Sequence, residues 1–190
     1  MKRTLLIIGV LLISFSGYSQ WVLKPGIGVN LTDFSKDANG EAKAKVGWQI
    51  GASAAFGKKF YFEPGIYYVE KSTEFTSNSS VIDDFDASLS GIRIPLAIGL
   101  NVLGDEKSGV TLHIFGGASG FFITGTDAFN KDSLNTANFG VFAGAGVDFW
   151  KLFLDVSYEW SLTNVQKDID QIDVGKTRTL FISAGMRLNF

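Results

Sequence analysis

The sequence predicts an all-β protein, an eight-stranded antiparallel up-and-down transmembrane β-barrel. Three observations carry that expectation. Apolar residues alternate with polar or small ones over segments of about ten residues, the pattern of a strand with two unlike faces. The connections between these segments are alternately short and long. The chain opens on an export signal, and no later apolar run reaches the ~20 residues a membrane helix needs, although 46% of the chain is hydrophobic and 14% aromatic.

The export signal comes first. Lys2 and Arg3 precede the apolar run Leu5 to Ile13, and small and polar residues follow from Ser14 to Gln20. A positive start, a short apolar centre and a polar end define a secretory signal peptide. Residues 1–20 are read as that signal, cleaved near Gln20, and residues 21–190 as one outer-membrane β-barrel domain. Without Lys2 and Arg3 the formal charge is 15 basic against 19 acidic side chains, or −4, which gives no reason to expect nucleic acid as a partner. The chain has no cysteine, so an exported domain of this size needs a full core or a membrane to stabilise it.

Each strand follows from its alternation. The first runs from Val22 to Leu31 and the second from Lys45 to Phe56, with Thr32 to Ala44 as a polar loop and Gly57-Lys58-Lys59 as a hairpin turn. The third is Phe60 to Glu70, where Pro64 cannot donate to the ladder and should weaken the pairing. After a polar loop from Lys71 to Ala87 comes the fourth, Ser88 to Val102. The fifth, Gly109 to Ile123, reads as less regular because of Gly116-Gly117 and Phe121-Phe122. The sixth is Thr136 to Trp150 and the seventh Leu152 to Leu162, joined at about Lys151. The last lies between Lys176 and Phe190, with Leu180, Ile182, Ala184, Met186, Leu188 and Phe190 on one face.

Outer-membrane barrels have an even strand number, short periplasmic turns and long extracellular loops. The alternating connections fit, and both ends of the domain fall at the short-turn side. On the apolar face, Trp48, Tyr68, Phe139 and Trp160 gather near the long loops and Phe56, Phe60, Phe149 and Phe190 near the short turns. Two such girdles mark the two lipid–water boundaries. The strand charges Lys24, Lys45, Glu63, Arg93, Asp148, Asp155, Glu159 and Arg187 all fall on the opposite, glycine-rich face. A soluble ligand-carrying barrel would turn its apolar face inward and its charges outward. The small residues beside the charges, and the rings at the strand ends of the other face, favour lipid outside and charge inside.

Short motifs add a resemblance. Lys24 to Leu31, Phe62 to Tyr68, Ile92 to Leu96, Ile114 to Ala118 and the terminal strand to Phe190 resemble the PorT-like outer-membrane β-barrels of Bacteroidetes. The resemblance implies an outer-membrane location and insertion by the barrel-assembly machinery, which reads a final strand ending in an aromatic, here Phe190. It implies no single activity.

The chemistry-bearing residues point away from catalysis. His113, the one histidine, could be sketched with Ser119 and Asp148 as a hydrolytic triad, but the spacing supplies neither a paired nucleophile nor an oxyanion site. A lumen-filling histidine is the expectation, with no catalytic residue, cofactor or metal. Asp83, Asp84 and Asp86, and Asp168, Asp170 and Asp173, match no calcium-loop pattern and read as solvated loop acids. An eight-stranded barrel is just wide enough to be filled by side chains. Lys24, Glu63, Arg93, Asp148, Asp155, Glu159 and Arg187 are therefore expected to form a structural ion-pair network, with Arg93 and Arg187 facing Glu63, Asp155 and Glu159. The expected role is structural or interactive, through loops that meet lipopolysaccharide, outer-membrane lipid or a surface partner. The alternative is a narrow channel, or an accessory of transport or secretion across the outer membrane.

Overall fold

The computed structural model describes residues 21–34, 41–44, 46–76, 85–104, 109–126, 137–163 and 177–190. These form β1 (Trp21–Phe34), β2 (Glu41–Ala44), β3 (Val46–Gly57), β4 (Phe60–Thr76), β5 (Phe85–Leu103), β6 (Val110–Thr126), β7 (Ala137–Phe149), β8 (Leu152–Ser161), β9 (Thr177–Met186) and β10 (Leu188–Asn189). All belong to one antiparallel sheet. It runs from β1 through β3, β4, β5, β6, β7, β8 and β9, and β9 pairs back onto β1. The short β2 leads into β3 and shares its neighbour β4, while β10 continues β9 along β1 in the same register. The ten segments thus make eight staves of a closed barrel, each beside its neighbour in the chain.

Closure is completed at the short-turn end. The Phe190 amide donates to the Trp21 carbonyl at 3.0 Å, and the two rings stack with centroids 4.4 Å apart. A closed ladder leaves no sheet edge, which is the condition for strands to cross hydrocarbon.

The two faces separate as the alternation requires. Ile27, Ile50, Ile66, Leu96, Ile98, Ile114, Val141 and Leu154 are exposed on the outer wall, while Lys24, Arg93, Asp148 and Glu159 are buried inside. Trp48, Tyr68, Phe139 and Trp160 ring the outer wall toward the long loops, and Phe56, Phe60, Phe149 and Phe190 ring it toward the short turns.

Several elements run further, or more regularly, than the alternation suggests. In β6 the pattern is unbroken: Thr111, His113, Ser119 and Phe121 are buried, and Leu112, Ile114 and Phe122 are exposed. The glycine pair costs side chains without shifting the phase. The polar stretches also begin as paired strand. The β4–β5 ladder continues from Lys71↔Leu89 to Phe75↔Phe85, and Glu41 to Ala44 pairs with Thr76 to Thr73. The sequence there is polar at odd and even positions alike, so hydropathy loses its period before the hydrogen bonds stop.

The three prolines mark the three places where the ladder opens without changing register. Opposite Pro25 the pairing of β1 skips Met186 and Arg187, between Gly26↔Gly185 and Leu23↔Leu188. At Pro64 the β3–β4 pairing skips from Ser53↔Gly65 to Phe56↔Phe62. At Pro95 the β4–β5 pairing skips from Pro64↔Leu96 to Tyr67↔Arg93. Each lacks the N–H that would have closed the gap.

Leu96 lies midway between the two girdles, on the outer wall. Leu96→Arg should lower the free energy of unfolding by about 2–4 kcal/mol, the cost of a mid-depth charge facing lipid. Urea unfolding in phospholipid vesicles measures it; an unchanged midpoint would place this face away from lipid.

Candidate functional site

The lumen holds the charged residues in two tiers. The tier nearer the short turns is centred on Lys24 of β1. Its ammonium lies 3.0 Å from Asp155 of β8 and 3.4 Å from Glu63 of β4. Glu63 also accepts from Ser53 at 2.6 Å. Asp155 meets His113 Nε2 of β6 at 2.9 Å, and His113 Nδ1 stands 3.6 Å from Asp148 of β7. Asp148 in turn pairs with Arg187 at 3.0 Å. One chain of contacts therefore runs Glu63–Lys24–Asp155–His113–Asp148–Arg187 around the inside of the barrel.

The second tier is centred on Glu159 of β8. Arg93 of β5 reaches it through Nε at 2.8 Å and Nη2 at 2.6 Å, and Ser119 donates to it at 2.7 Å. Lys71 of β4 lies 3.9 Å away and donates to Thr179 at 3.4 Å. Thr179 contacts Thr32, which reaches Asn30, and Asn30 donates to the Glu70 carbonyl. Rings wrap the cations. Arg93 lies over Phe181 and Phe142, Lys71 over Phe121 and Phe181, and Lys24 over Phe153. A ring face adds attraction to a cation removed from water.

Glycines provide the room. A Cβ at Gly99 would run into the Tyr61 ring, and one at Gly146 would meet both His113 and Asp155. Glycine on one stave thus accommodates a large side chain from the next.

All seven residues expected in the lumen lie there, and Arg93 faces Glu159, one of the expected pairings; the other partners differ, since Glu63 answers Lys24 rather than an arginine and Arg187 takes Asp148. The cause is height in the barrel, since Glu63 pairs across the sheet with Ala97, four residues nearer the short turns than Arg93. His113 and Ser119 fall in different tiers, one bonded to Asp155 and the other to Glu159, so the sketched triad is not assembled. Lys71 was missed as a lumen residue. Its signal was present, because Tyr61, Glu63, Gly65, Tyr67, Val69 and Lys71 continue one period-two face, yet Lys71 opens a polar stretch that reads as loop. Lys45, Asp83, Asp84, Asp168, Asp170 and Asp173 lie outside the described residues, and nothing is described of the Asp86 side chain. Among the described residues no cluster of His, Asp and Glu could hold a metal ion.

Between the tiers the described residues leave little space. A void of about 50 Å³ lies among Ser53, Glu63, Tyr67, Arg93, Phe115 and Asp155, and one of about 20 Å³ beside Lys71, Glu159 and Asn138. Voids of that size hold a few waters at most. At the short-turn end the lumen widens into a cavity of about 430 Å³ above Lys24, Glu63, His113 and Asp148.

This closed barrel, apolar outside and ionised within, agrees with the sequence comparison. The profile described as "outer membrane protein beta-barrel domain" matches residues 14–167. The chain belongs to that family, and it is an outer-membrane β-barrel protein. No curated protein matches it in sequence. Among solved structures it is similar to the outer membrane protein OprG of Pseudomonas aeruginosa, at 11% identity and a TM-score of 0.56, over 90% of this chain and 95% of that one. It also matches the attachment invasion locus protein Ail of Yersinia pestis, at 16% identity and a TM-score of 0.49, over 89% and 99%. The N-terminal barrel domain of Pseudomonas aeruginosa OprF matches at 14% identity and a TM-score of 0.44, over 90% and 100%. The OprG likeness carries the fold and nothing further.

Removing Arg93 leaves Glu159 buried with one distant lysine. Arg93→Ala should therefore cost about 3–5 kcal/mol of stability. Replacing both partners, as Arg93→Met with Glu159→Leu, should recover most of that loss, since an apolar pair leaves no charge unpaired. Urea unfolding of the two variants beside wild type decides; equal losses in both would mean the ion pair itself stabilises the barrel.

Proposed function

We propose that this protein is a pore-less outer-membrane barrel whose work is done at its ends, with the long loops meeting lipopolysaccharide or a surface partner. The observation that carries the reading is the filled lumen. From the Lys24 tier to the Glu159 tier, ion pairs and the rings of Phe115, Phe142, Phe153 and Phe181 leave voids of only about 50 and 20 Å³. A barrel so packed cannot pass a hydrated solute without unpairing buried charges.

The uneven rim supports a role for the long-loop end. β4, β5 and β6 run for 17, 19 and 17 residues, against 10 each for β8 and β9. A membrane strand needs only about 9–11 residues. The β4–β6 wall therefore rises past its girdle and can hold loops clear of the bilayer as a paired platform. Within the family, the motifs quoted above favour the PorT-like group. The same reading has residues 1–20 removed on export and Phe190 read by the barrel-assembly machinery. It assigns no enzymatic step, since neither Ser119 nor His113 has the partner such a step requires.

In planar bilayers the wild-type protein should show no stable large conductance, and Glu63→Ala and Arg93→Ala should open none. Steady single-channel steps in wild type would instead support the narrow-channel reading. Heat-modifiable gel mobility and recovery in the outer-membrane fraction test the location independently.

A further inference from the structure

The wide end of the lumen is built unlike the rest of it. The cavity of about 430 Å³ is rimmed by Gly57, Lys58, Lys59 and Gly104 and floored by Lys24, Glu63, His113 and Asp148. Its volume lies in the range of small-molecule pockets. Three buried polar atoms at this cavity have no hydrogen-bond partner: the Tyr61 hydroxyl, His113 Nδ1 and Asp148 Oδ1. All three side chains are more than nine-tenths buried. Buried polar groups are normally paired, so the set is complete only when something in the cavity supplies an acceptor for Tyr61 and donors for His113 and Asp148.

The charges narrow the choice. Lys24, Lys58, Lys59 and Arg187 line the cavity against Glu63 and Asp148. Lys24 and Arg187 are held by carboxylates, whereas the exposed Lys58 and Lys59 have no side-chain partner among the described residues. An anion entering from the short-turn end meets at the rim two ammonium groups that no described carboxylate pairs. Farther in, Tyr61 can donate to it, while His113 Nδ1, whose ring already gives its Nε2–H to Asp155, and the Asp148 carboxylate each need a hydroxyl from it.

We infer that this vestibule binds a small anion that also carries hydroxyl groups, a phosphorylated polyol of the glycerophosphate type, with Lys58 and Lys59 attracting the phosphate and Tyr61, His113 and Asp148 holding the inner end. Such a group is found both as a free solute and as the headgroup of a lipid in the adjoining leaflet. The site lies on the near side of the packed tiers, so it needs no passage through the barrel.

His113, as the one histidine, gives a single ring resonance that reports the floor of the site. The mature protein, folded in a non-ionic polyoxyethylene detergent, is titrated with glycerol 3-phosphate while that resonance is followed by NMR. A saturable shift is expected, absent with sulfate at the same ionic strength. Tyr61→Phe and the double variant Lys58→Gln/Lys59→Gln should each raise the dissociation constant at least fivefold, with heat-modifiable mobility retained. An unsaturating drift, an equal response to sulfate, or unchanged affinity in both variants would overturn the proposal. Dihexanoyl phosphatidylglycerol in place of glycerol 3-phosphate separates the sources: tighter binding assigns a lipid headgroup, equal or weaker binding a free solute. Water as the sole occupant would leave the resonance unmoved throughout.

Discussion

The whole structure follows from where the barrel puts its charge. Once a sheet closes with its apolar face toward hydrocarbon, every ionised strand residue is committed to a tube only eight strands wide. There is no bulk water there to solvate a lone ammonium or carboxylate, and an unpaired buried charge costs several kcal/mol. The lumen therefore assembles by pairing. Lys24 lies between Glu63 and Asp155, Arg187 meets Asp148, and Arg93 and Lys71 share Glu159. Each cation comes from a different stave than its partner, so the pairs also tie strands that are not neighbours in the ladder.

Pairing alone would not fill the tube, and packing imposes a second condition. Rings from β4, β6, β7, β8 and β9 occupy the space between charges, and they fit because glycine stands beside them on adjoining staves. The high glycine content is thus the counterpart of the aromatic content. A barrel with evenly sized inward residues would need either a wider tube or fewer rings. Proline adds an opposite effect. At Pro25 and Pro64 the ladder opens, and the inward residues of those openings, Lys24, Arg187, Ala55 and Glu63, all line the vestibule.

The sequence made the face assignment legible because a period of two survives wherever one side meets lipid. It showed the two girdles, the even strand number and the inward set of Lys24, Glu63, Arg93, Asp148, Asp155, Glu159 and Arg187. It could not show who pairs with whom. Partnership depends on stagger between staves, which places Glu63 level with Lys24 and Arg93 level with Glu159. Lys71 escaped for a related reason: beyond the girdle the sequence of the outer face turns polar, and an inward lysine no longer stands out. The vestibule was hidden altogether, since it depends on how far Tyr61, His113 and Arg187 from separate staves fill the tube near the short turns, and no single motif encodes that.

The two ends of the barrel are consequently unlike in kind. Toward the long loops the Glu159 tier, its rings and the threonine–asparagine contacts make a solid block under the β4–β6 wall, suited to holding a surface in fixed shape. Toward the short turns the same tube is hollow, with Lys58 and Lys59 among its described rim residues and a floor of polar atoms with unused bonding capacity. A uniform pore would demand the same polarity at both ends and a continuous void between them. What the residues build instead is a partition, two layers of buried ion pairs that separate the vestibule from the long-loop side.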